Sequence, residues 1–182
     1  MKYIYPKVLK TKINLDNRGY LIETFKKKKL NINFDYSILV SSKKNVFRGL
    51  HFQRKKQQEK LLIVTKGSII DYCIDLRKKS KTFAKTFTFC LKKNSILYIP
   101  KGFAHGYLCL ENDNKLVYLL SNYWFKKYEK VLDFKDNEIN LKIKTKKIIT
   151  SMRDLKGMSL DEFRKEIRTL WHKINVEFVI KR

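Results

Sequence analysis

Short runs of apolar residues, broken by glycine, proline or paired lysines, recur along most of the chain. The clearest is Leu61 to Leu76, where two β-rich runs meet at Lys66-Gly67 and read as a hairpin. From Thr82 to Leu91, Phe83, Phe87 and Phe89 are interleaved with lysine and threonine. Ser95 to Ile99 stops at Pro100, which cannot donate to a central ladder and so marks a strand end. Tyr107 to Leu110 and Leu116 to Tyr123 follow at similar spacing. Turn signals about every eight to twelve residues predict a mainly β sandwich or barrel.

The pattern changes near the C-terminus. Ser159-Leu160-Asp161-Glu162 is a capping box, and Leu160, Phe163, Ile167, Leu170 and Trp171 fall at helical spacing. A helix is expected over residues 158–175, its stripe serving core or subunit packing. A shorter helix is expected over residues 22–30, although four consecutive lysines weigh against it. No repeat, linker or low-complexity tract divides the sequence, so residues 1–182 read as one domain.

A length of 182 residues with 43% hydrophobic and 13% aromatic content suits a folded core rather than a disordered chain. No apolar run is long enough to cross a bilayer, and MKYIYPKVLKTK lacks a signal-peptide pattern. Cys73, Cys90 and Cys109 show no CxxC spacing and lie among strand-like residues, which predicts buried thiols in a reducing cytoplasm. The net charge of +25 raises the question of nucleic acid. The lysines, however, recur in short groups between strand candidates, as solvated loop residues do. Nucleic acid is therefore not the expected partner, while a basic surface would favour an anionic substrate.

Candidate chemistry is confined by what is present. No GxGxxG, GxxxxGK[ST] or GxSxG occurs, which argues against a Rossmann site, a P-loop or a serine hydrolase. Of three histidines, His172 sits near the end of the predicted helix without catalytic neighbours, and a surface position is expected. His51 (in Arg48-Gly49-Leu50-His51-Phe52-Gln53) and His105 (in Gly102-Phe103-Ala104-His105-Gly106) are flanked by glycine and strand residues, as at a barrel mouth. An HxH metal pair is not formed, because Gln53 stands two residues beyond His51. A metal site is not expected. What remains is proton transfer, with histidine as base, tyrosine as acid and lysine or arginine holding charge.

Four stretches then become specific: NVFRGLHFQ, EKLLIVTKGSIIDYCIDLRKKSKTF, LYIPKGFAHGYL and KLVYLLSNYW. In order and spacing they resemble the dTDP-4-dehydrorhamnose 3,5-epimerase family, with weaker matches at Asp16-Asn17-Arg18-Gly19 and Ser151-Met152-Arg153-Asp154. The resemblance implies a cupin-type jelly roll, a homodimer, no cofactor, and a nucleoside-diphosphate 4-keto-6-deoxyhexose as substrate. It implies His51 as general base, Asp154 as its orienting partner, Tyr118 as the opposing acid and Lys60 as the cation near the ketone oxygen. Arg18, Glu23, Arg48, Gln53, His105, Tyr123, Glu129 and Arg153 fall where the family contacts substrate. Where the family commonly carries Gln-Asp-Asn, this chain has Tyr36-Ser37-Ile38, which leaves the nucleotide base open. Also open are inversion at C3 or C5 alone, 3,4-ketoisomerisation, and a non-catalytic binding module.

Overall fold

The computed structural model describes residues 3–169. Two five-stranded antiparallel sheets face each other. The first runs β1 (Lys7–Val8), β9 (Ile96–Ile99), β6 (Lys60–Lys66), β11 (Asn114–Leu120), β4 (Tyr36–Ser42). The second runs β12 (Glu129–Val131), β5 (Phe47–Gln53), β10 (Phe103–Cys109), β7 (Ser68–Asp75), β8 (Thr86–Lys92). A separate hairpin pairs β2 (Ile13–Asp16) with β3 (Gly19–Ile22). This is the sandwich or barrel that the strand spacing called for, in the jelly-roll form that the family resemblance implied.

Three apolar layers explain why several strands are buried on both faces. Between the sheets lie Leu62, Val64, Ile69, Cys73, Tyr107, Cys109, Leu116 and Tyr118. The opposite parity of the second sheet sends Leu50, Phe52, Tyr72, Ile74 and Leu108 outward, where Leu132, Phe134, Leu160 and Phe163 cover them. The first sheet turns Leu61, Ile63, Ile96 and Tyr98 onto Leu30 and Ile32. Each fully buried side chain of this size contributes about 1.5–3 kcal/mol. β10 is buried throughout, so its sequence shows no polar–apolar alternation.

Three expectations are corrected. Leu61 to Leu76 does form two strands, but β6 and β7 belong to different sheets. The single residue between them, Gly67 at φ +79°, carries the chain across the barrel edge instead of reversing it in one sheet. The early helix shrinks to α1 (Lys27–Leu30), because residues through Ile22 pair in the β2–β3 hairpin and the lysines that follow repel one another. Cys73 and Cys109 are buried free thiols, whereas Cys90 is exposed on the edge strand β8.

The C-terminal helix, α2, begins at 160 and is described to 169. Its capping box is formed: the Ser159 amide donates to Glu162 at 2.7 Å, and the Glu162 amide to Ser159 Oγ at 3.1 Å. Leu160 and Phe163 are buried, with Ile167 packed behind them. Leu170, Trp171 and His172 lie outside the described residues. Among those residues, no helix is long and apolar enough to cross a membrane.

Candidate active site

The second sheet brings the two strand histidines side by side. His105 on β10 pairs directly with His51 on β5, and also with Cys73 on β7. Two glycines permit this approach. A Cβ at Gly49 would sit 2.5 Å from Gly106 Cα and 2.6 Å from the His105 carbonyl oxygen. One at Gly106 would lie 2.7 Å from the Arg48 carbonyl. Gly49 also takes φ +123°, a conformation closed to most side chains. The register shifts between His105 and Tyr107, as at a bulge beside a site.

Each histidine is held by a carboxylate. His51 Nε2 lies 2.7 Å from Asp154 Oδ1, and the Gly49 amide donates to Asp154 Oδ2 at 3.2 Å. Burial pushes the Asp154 carboxyl up, but the hydrogen bonds from His51 and the Gly49 amide outweigh it and its pKa falls below the ordinary value. Asp154 opens a 3-10 turn (Asp154–Lys156) that packs against β5, so two residues far apart in sequence form one dyad. His105 Nε2 lies 2.7 Å from Asp71 Oδ2, and the Cys73 thiol donates to Asp71 Oδ1 at 3.3 Å. Burial drives the His105 pKa down, opposed by Asp71, and the net shift is downward.

Between the sheets lies a cavity of about 360 Å³ lined by His51, His105, Lys60, Tyr118, Arg48 and Glu129, among others. Tyr118 is buried on β11, its ring centroid 5.8 Å from that of His105 at 74°. Burial raises its pKa well above the ordinary tyrosine value, so it is a neutral phenol at pH 7. Lys60 opens β6, and burial lowers its pKa below the ordinary lysine value. Arg48 is steadied by Ser42 Oγ at 3.0 Å. Arg153 pairs with Glu129 at 2.6 Å, and Glu129 accepts from the Trp124 indole at 2.5 Å. A neutral acid, a carboxylate-backed imidazole and a cation around one cavity can move a proton on and off carbon.

The remaining expected residues are placed differently. Tyr123 is 60% exposed at the mouth, its ring stacked on Tyr36 at 5.5 Å and 16°. Gln53 is buried and turned away. Its amide donates to the Lys56 and Tyr123 carbonyls and accepts from the Phe125 amide, so it braces loops instead of facing the cavity. Arg18 and Glu23 are surface residues on and after the β2–β3 hairpin, paired with Asp16 and Lys26 and absent from the cavity within this chain. Asp71 went unnoticed in the sequence. Its signal was a charged residue sharing a strand face with Cys73 in an apolar run, a position that demands a buried partner. Among the described residues, no group of three or more His, Cys, Asp or Glu is placed to hold a metal.

A family model described as dTDP-4-dehydrorhamnose 3,5-epimerase matches residues 6–162. The chain belongs to this epimerase family. An Escherichia coli (strain K12) dTDP-4-dehydrorhamnose 3,5-epimerase is 32% identical over 165 residues, 85% of this chain and 89% of that protein. The Bacillus anthracis dTDP-4-dehydrorhamnose 3,5-epimerase structure with TDP and PPi bound superposes with a TM-score of 0.82 at 30% identity, covering 85% of this chain and 94% of that one. A Legionella pneumophila 3,5-epimerase in complex with dTDP-4-keto-L-rhamnose gives a TM-score of 0.82 at 28% identity, covering 86% and 88%. The epimerase match ends at 162, so most of α2 lies beyond it.

Proposed function

We propose that the protein epimerises a nucleoside-diphosphate 4-keto-6-deoxyhexose at C3 and C5, in the manner of the relatives above. The observation that carries this reading is the His51–Asp154 dyad opening onto a cavity that also holds Tyr118 and Lys60. The ketone at C4 acidifies the neighbouring C–H bonds. His51 takes the proton, Asp154 stabilises the imidazolium, and the electron pair moves to the C4 oxygen as an enolate facing the Lys60 ammonium. Tyr118 returns a proton to carbon from the other face and is reprotonated from solvent, while the His51 imidazolium releases its proton to solvent, so both groups are reset. A repeat at the second carbon completes the double inversion. No step calls on a cofactor or metal.

Two finer readings go with this one. The enzyme works in the cytoplasm, which its free thiols suit. It works as a homodimer, supported by the exposed apolar hairpin on which Leu15 is 77% and Leu21 60% accessible. Arg18 and Glu23, remote from their own chain's cavity, would then meet the nucleotide sugar bound to the partner.

The test is solvent exchange in D2O with dTDP-4-keto-6-deoxyglucose. Wild type should incorporate deuterium at C3 and C5, and His51→Ala should lose about 10³-fold or more in rate. A chelator should leave both results unchanged. An undiminished rate in His51→Ala would overturn the mechanism.

A further inference from the structure

The cavity around His51 has two unlike ends. Its inner end holds His105, Tyr107 and Tyr118, all buried beside the catalytic groups. Its open end is walled by Tyr36, Ile38 and Trp124, of which Ile38 and Trp124 are exposed and Tyr36 half-buried. Every lining residue belongs to the barrel strands or the segments beside them, and none to α2. Tyr123 does not line the cavity. It stacks on Tyr36, with ring centroids 5.5 Å apart and planes at 16°, and so braces the ring that does. The polar atoms of this wall are already engaged. Both hydrogens of the Gln58 amide are taken, by the Tyr36 hydroxyl at 3.1 Å and the Asn122 carbonyl at 2.8 Å. The Trp124 indole donates to Glu129, whose carboxylate also meets Arg153. What the wall chiefly offers a flat ligand is ring face and aliphatic surface.

We infer that Tyr36, braced by Tyr123, is a specificity-determining residue for the nucleotide: it holds the base by its face and leaves the base edge unread. The inference rests on the proposed function, which supplies the ligand class. With the reacting carbons of the sugar beside His51 and Lys60, a flat base finds its aromatic surface at the open end, on Tyr36 and Trp124. Tyr36 and Ile38 stand where the family commonly carries glutamine and asparagine, so two amides able to pair with a base edge give way to a ring and a branched alkyl group. A site that reads an N–H or hydroxyl by hydrogen bonding rejects the wrong partner by about 10⁴-fold or more. Stacking does not discriminate in this way, because every base has a π-face. The substrate class is therefore pyrimidine nucleoside-diphosphate sugars in general, with thymine as one base among several.

The experiment is calorimetric titration of the full-length protein with dTDP, dUDP and dCDP, which differ only in the base. It is run on wild type, Tyr36→Ala and Tyr36→Phe. Wild type should bind all three with dissociation constants within about tenfold of one another. Tyr36→Ala should weaken all three alike, by about tenfold or more, and Tyr36→Phe, which keeps the ring face, should restore them. A preference wider than that for one base would reveal a base-edge contact and overturn the inference. So would binding of none of the three, affinities that Tyr36→Ala leaves unchanged, or a loss in Tyr36→Phe as large as in Tyr36→Ala. Should Tyr36→Ala fail to fold, the comparison of bases in wild type and Tyr36→Phe still decides. Deuterium exchange into dTDP-4-keto-6-deoxyglucose by wild type is scored separately. Its absence removes the epimerase reading, while the three affinities still test the wall.

Discussion

The two histidines have the same kind of partner, yet their surroundings give them different work. The His105 side chain is 5% exposed and its Asp71 0%, so burial keeps that imidazole neutral. The His51 side chain is 30% exposed on the cavity wall, where a substrate can reach it. Lys60 supplies the sharpest test at this scale. Its pKa is lowered, so its charge is lost as pH rises through a value below that of an ordinary lysine. If the ammonium stabilises the enolate, kcat/KM should show an alkaline limb beginning below about 10.4. Lys60→Arg, which stays charged, should abolish that limb while lowering the plateau through its altered geometry. A limb unchanged in Lys60→Arg would assign the alkaline titration to another group and remove Lys60 from the enolate's surroundings.

Among the elements, β5 and β10 decide whether the site exists, because they pair with two glycines face to face. Gly106→Ala would set a methyl 2.7 Å from the Arg48 carbonyl and 3.0 Å from Leu50 Cδ2. It should cost roughly 2–4 kcal/mol by urea denaturation and should also disturb the His51–His105 register. Stability and exchange rate both left at wild-type values would mean that this contact relaxes freely. The same strands show what the sequence could tell. Strand positions were legible because turns and apolar runs are local signals, and the Ser159–Glu162 capping box was legible for the same reason. Sheet membership was not. Whether β6 continues into its own sheet or crosses at Gly67 depends on partners many residues away, and both choices bury the same apolar runs. His51 and His105 could be noted from their glycine settings, whereas the roles of His51 and Asp154 came from the family resemblance. The hydrogen bonds that draw the Gln53 amide to loop carbonyls are a three-dimensional circumstance with no sequence mark.

On the scale of the whole molecule, the proposed homodimer would give Arg18 and Glu23 a role that their placement within one chain does not. The β2–β3 hairpin presents Ile13, Leu15, Tyr20 and Leu21 to solvent, more apolar surface than a small two-stranded element normally leaves bare. A twofold pairing through that hairpin would cover it and carry Arg18 toward the partner's cavity. Leu15→Glu/Leu21→Glu should then sediment as a monomer with its strand content intact by circular dichroism, and its exchange activity should fall with it. Subunit mixing separates a shared site from simple loss of assembly. His51→Ala and Arg18→Glu, each impaired as a homodimer, should regain activity when unfolded and refolded together. Half of the dimers formed from an equal mixture are mixed, and each mixed dimer carries one site with both residues intact. Recovery should therefore approach about a quarter of the wild-type rate. If mixing restores nothing while both variants remain dimeric, Arg18 acts within its own chain or not at all, and the hairpin's exposed leucines need another explanation.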